Sequence, residues 1–153
     1  MKYRSGYKYQ LAEDESEQTQ IKGFDIDTDF IRLTPDGMLT GKKGYAWDGA
    51  SGPTWDSVYC MRGPLFHDII YQLMRMGLIP LTWKPYADGL MYFLIIRSGK
   101  KYIEVEFKDS WEITKKTIYA AIERRALVWY NGVWYFGKSS TLPENDRPIL
   151  DAP

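Results

Sequence analysis

Along the first third of the chain, apolar and polar positions tend to alternate; farther on, apolar residues recur every three to four positions. Tyr3, Tyr7, Tyr9 and Leu11 are interleaved with polar residues, which predicts a short strand over residues 2–11. Residues 13–18 are acidic and polar and read as a loop. Two further strands are predicted around residues 20–26 and 30–34. Between the second of these and Met38 stands Thr34-Pro35-Asp36-Gly37. Proline presets the first central residue of a turn and glycine tolerates positive φ, so a hairpin is expected here. Its return strand runs from Met38 towards Trp47 and delivers a glycine-rich loop.

Three helices are predicted after that loop. Gly63-Pro64 opens the first, since proline fits an opening turn, and Gly77 ends it. The second spans residues 84–98 and is closed by Gly99; its apolar run, Leu90 to Ile96, reads as a buried face. Asp109-Ser110-Trp111-Glu112 has capping-box spacing, so a third helix is expected over residues 110–130. Asn131-Gly132, between two aromatic triplets, offers a hairpin turn as the alternative; the helix is favoured. The pattern defines an α+β class: an N-terminal antiparallel sheet packed on a C-terminal helical hairpin plus a third helix. Residues 1–142 are expected to form a single domain, with 143–153 as an extended tail.

Composition narrows the function classes. The formal net charge is zero, which argues against nucleic acid as a partner. Cys60 stands alone, so no disulfide framework is expected and a reducing compartment suits the chain. Met1-Lys2-Tyr3-Arg4 leads into polar residues rather than the apolar core of a signal peptide, and no run has the length of a membrane span. Twelve Tyr and six Trp make a high aromatic share, much of it expected in the core, although both residue types also suit wet interfaces.

Titratable groups and special-backbone residues are densest between Gly44 and Tyr71. On a helix, His67 and Tyr71 share one face, and Asp68 lies about 100° round. The second helix carries one acid, Asp88, which an antiparallel hairpin brings towards the imidazole. A carboxylate on one ring nitrogen would orient the other as a general base for water. The alternative is a satisfied polar pair with no chemistry. Gly44, Gly49 and Gly52 let carbonyls turn inward, and Asp48, Asp56 and Asp68 add hard oxygens, a set that suits calcium. The competing reading is a tight loop whose side chains cap local amides. One His and one Cys exclude a four-ligand zinc site. Pro53 stands where a nucleophile elbow around Ser51 needs a second glycine. Cys60 is expected to be buried and inert.

Two resemblances rest on these motifs. Trp47-Asp48-Gly49-Ala50-Ser51-Gly52-Pro53, the run from Arg62 to Gln72, and Ala87-Asp88-Gly89-Leu90-Met91-Tyr92-Phe93 are similar to a phage and prophage family catalogued as domain of unknown function 1353. That implies a viral or prophage origin and a location in the infected host's cytoplasm or the virion; it carries no activity. At the level of the site alone, His67-Asp68-Ile69-Ile70-Tyr71 with Ala87-Asp88-Gly89 resembles secreted phospholipases A2. That resemblance implies that His67 activates water, Asp88 and Tyr71 hold the imidazole, and Asp68, Asp48, Gly49 and Gly52 serve calcium. The substrate would then be an ester or phospholipid. The cysteines flanking that family's histidine are replaced by Leu65, Phe66 and Ile70, and the segment from Pro53 to His67 is longer. The competing expectation is a non-enzymatic virion component or a protein that binds a host factor, its aromatics and proline-containing tail docking on a partner.

Overall fold

The computed structural model describes residues 9–47, 60–137 and Thr141. Among the described residues, six short strands precede three α-helices: β1 (Tyr9–Gln10), β2 (Glu15–Gln18), β3 (Ile26–Asp27), β4 (Ile31–Leu33), β5 (Met38–Gly41), β6 (Ala46–Trp47), α1 (Arg62–Arg75), α2 (Lys84–Glu106) and α3 (Glu112–Phe136). Four strands form an antiparallel sheet in the order β2-β5-β4-β3, and β1 pairs with β6 in a separate two-stranded ribbon. The α+β class is as the periodicity predicts.

The turn at residues 34–37 forms as expected. Gly37 donates its backbone N–H to Thr34 O at 2.9 Å with φ 95°, and Leu33 sits opposite Leu39 in the hairpin. The return strand is shorter than predicted: β5 stops at Gly41, and the chain turns through Gly44 before β6 joins the other ribbon. The acidic loop expected at 13–18 is largely a strand. In β2, Ser16 bonds Thr40 across the ladder, while Glu17 points inward. Of the strand expected at 20–26, only Ile26 is in a strand, as the first residue of β3.

Ile31, Leu33 and Leu39 line the sheet's inner face and, with Ile21 from the β2–β3 connection, pack with Phe66, Ile69, Ile70 and Leu73 of α1 and Leu90 and Leu94 of α2. A second cluster joins Met91, Ile95 and Ile103 of α2 to Ile122, Ala126 and Trp129 of α3. Helix α2 therefore serves both clusters, with α1 on one side and α3 on the other. Arg62 reaches from α1 to Glu15 and Glu17 of β2, and Arg97 reaches from α2 to Glu17, which fastens sheet to helices.

The helix ends show which local signals held. After α1, Gly77 N–H bonds Met74 O and Leu78 N–H bonds Leu73 O, with Gly77 at φ 68°: a Schellman termination. The expected stop at Gly99 does not occur, because α2 runs on to Glu106. A Cβ on Gly99 would lie 2.7 Å from Ile122 Cγ2, so this glycine lets α2 and α3 approach closely. Helix α3 begins two residues later than the capping-box reading, with Trp111 as N-cap and no side-chain cap. It continues through Asn131-Gly132, so the hairpin alternative is not adopted. The tail at 143–153 lies outside the described residues.

Candidate functional site

Helix α1 contributes His67, Asp68 and Tyr71, and α2 contributes Asp88. The short link between them, with a 3₁₀ turn at Leu81–Trp83, sets the helices side by side as the hairpin argument requires. His67 Nε2 lies 3.1 Å from Asp88 Oδ1, and the Tyr71 hydroxyl donates to the same oxygen at 2.7 Å. The imidazole packs against the Tyr71 ring with centroids 3.9 Å apart and the planes tilted by 38°. The geometric expectation that His67 meets Asp88 is met, with Tyr71 in attendance.

Two features depart from the general-base arrangement. The second ring nitrogen, Nδ1, faces Asp68 Oδ1 at 3.3 Å rather than an open cleft. And Lys84, which the sequence reading did not single out, donates to Asp88 Oδ2 at 2.7 Å and to the Val133 carbonyl at 3.0 Å. Its ammonium also lies 5.9 Å from the Tyr71 ring centre and 5.7 Å from that of Trp134. The signal was present: Lys84 and Asp88 are four apart, the spacing of a helical ion pair. What spacing could not convey is that Lys84 also ties the end of α3 into the network.

The result is a chain of charge, Asp68–His67–Asp88–Lys84, at the junction of three helices. His67 is 5% exposed and Asp88 is fully buried. Burial alone would keep the imidazole neutral, but hydrogen bonds and attraction from Asp68 and Asp88 outweigh it and hold its pKa above the ordinary value. For Asp88 burial acts upward, and the bonds from His67, Lys84 and Tyr71 overcome it, holding the carboxyl below its usual range. Burial first, then the bond to Asp88, pushes the Tyr71 phenol far up. When protonated, the ring donates one N–H to each of the two carboxylates. Such a ring has no lone pair with which to take a proton from water.

Asp68, expected by resemblance to serve calcium, is the outer partner of His67, with its side chain 32% exposed. Asp48, Gly49 and Gly52 lie outside the described residues, as does Asp56. Among the described residues, no group of three or more His, Cys, Asp or Glu side chains is placed to hold a metal ion. Cys60 is buried, as expected. A second ionic cluster also escaped the sequence reading. Glu17, buried, accepts from Arg97 Nη1 at 3.0 Å and from Arg62 Nη2 at 3.1 Å, and the two guanidiniums overcome burial to hold its carboxyl low.

Comparison with family models, curated proteins and solved structures returned no match. No helix among the described residues is long and apolar enough to cross a membrane.

Proposed function

We propose that this is a non-enzymatic protein of phage or prophage origin, a virion component or a binder of a host factor, in which His67 is a fold-holding cation. The supporting observation is the occupancy of both imidazole nitrogens by carboxylates inside a buried network. A general base needs one nitrogen unprotonated and within reach of water, whereas this ring is buried with a carboxylate facing each nitrogen. The aromatic residues that α3 leaves exposed, Trp134, Tyr135 and Phe136, suit contact with another molecule better than free solvent. The phage origin rests on the motifs shared with the phage family.

A hydrolase acting on an ester or phospholipid is the second reading, favoured by one observation. Asp68 is the solvent-accessible edge of the network and sits at the longer of the two contacts. A cation such as calcium that drew Asp68 outward would free Nδ1 while Asp88 still held Nε2. The test uses purified protein on mixed phospholipids and simple esters, with and without calcium. The binding reading expects no turnover in either condition, and His67→Asn to lower the melting temperature. Calcium-dependent hydrolysis that His67→Asn reduces by ~100-fold or more without unfolding the protein would establish the enzyme instead.

A further inference from the structure

Between Trp129 and Thr141, both buried, no described residue of the chain is buried, and Trp134, Tyr135 and Phe136 are exposed. The last turn of α3 lies in this stretch, so apolar burial holds it only weakly. Polar and steric contacts fix it instead. Lys84 Nζ, bonded to the buried Asp88, also donates to Val133 O at 3.0 Å and reaches Trp134 O at 3.4 Å. Those carbonyls belong to the negative end of α3, so without the ammonium that end would face the Asp88 carboxylate unscreened. At Gly137 the chain rests on α1. A Cβ there would lie 2.7 Å from the Tyr71 hydroxyl and 2.5 Å from Val133 O. Just before the turn, Gly132 lies inside the helix, and a Cβ there would meet nothing within 4 Å. No close approach requires this glycine, unlike Gly99, and a glycine inside a helix loosens it.

We propose that the last turn of α3 is a strap over the His67–Asp88 pair, hinged at Gly132, latched by Lys84 and seated on Tyr71 by Gly137. Tyr71 bonds the same carboxylate oxygen as His67, and Lys84 bonds the other. The strap thus rests on two partners of the one buried carboxylate. Closed, it helps to keep the network dry; open, it admits water and small solutes to His67. The strap goes beyond the binding reading, and it holds whether or not the opened site turns anything over.

Two glycine-to-alanine changes test it in opposite directions. Both are read in the full chain at one fixed pH, by amide hydrogen exchange and by carbethoxylation of His67, the only histidine. Gly132→Ala should stiffen the hinge, slowing the exchange of residues 133–137 and the reaction of His67 alike by about 3- to 5-fold. Gly137→Ala should wedge the seat apart and speed both at least ~10-fold. Exchange across α1 should keep its parental rate in both variants, which separates strap opening from global unfolding. Lys84→Met should speed exchange in the strap more than in α1. A His67 rate that neither glycine change moves, or one that follows the exchange of α1, would overturn the proposal. So would parental strap exchange in Gly137→Ala, or a Lys84→Met variant in which strap and α1 exchange rise equally.

Discussion

At the scale of single residues, Asp88 carries the most. Its two oxygens meet an imidazole ring, a phenol and an ammonium from two helices. Removing one member of a buried ionic network leaves the others uncompensated, which costs about 3–5 kcal/mol. Asp88→Asn should therefore destabilise by that amount in urea or thermal unfolding, while Asp68→Asn at the exposed edge should cost under about 1 kcal/mol. Equal effects would mean that the two carboxylates are not inner and outer members of one network. The meeting of His67, Tyr71 and Asp88 was legible in the sequence because helical spacing and a short inter-helix link determine it. The role of Asp68 was not legible: its neighbour's ring can turn either nitrogen towards it, and rotamer choice leaves no trace in periodicity. Lys84 was half legible, since its four-residue spacing to Asp88 is local but its contact with Val133 joins residues 49 apart.

At the scale of elements, glycine separates a helix end from a helix contact. Gly77 and Gly99 look alike in sequence, each following an apolar helical run. Gly77 takes up positive φ and ends α1, whereas Gly99 stays helical because Ile122 occupies the space a side chain would fill. Gly99→Leu should therefore separate α2 from α3 and destabilise by at least about 1–3 kcal/mol through overpacking, read by denaturant unfolding. An unaltered midpoint would mean that the two helices do not pack this closely. Strand β2 was hidden for a related reason. Its inward residue is Glu17, and the arginines that make its burial affordable come from α1 and α2. A strand whose buried position is charged carries no alternation of apolar and polar residues to read. The hairpin at Thr34–Gly37 and the Schellman end of α1, both encoded within a few residues, were fully legible.

At the scale of the whole molecule, His67 and the two buried carboxylates make stability depend on pH in opposite senses. His67 has a folded pKa above its ordinary 6.5, so the native state holds a proton that the unfolded chain releases. Its contribution is complete below about 6.5 and is lost as pH rises through the folded value. Asp88 and Glu17 have folded values below their ordinary 3.8 and 4.5, so their contributions are present above those values and fade as pH falls through the folded ones. The melting temperature should thus peak between about 4.5 and 6.5 and decline on the alkaline side. In His67→Asn the alkaline decline should flatten. Nitrogen-15 NMR of the His67 side chain near neutral pH distinguishes a locked imidazolium from a base. This single histidine gives an unambiguous signal. Both ring nitrogens should carry protons at neutral pH, and the ring should titrate above the ordinary imidazole value of 6.5. A neutral ring at neutral pH, with one nitrogen unprotonated and exchanging with water, would contradict the locked imidazolium.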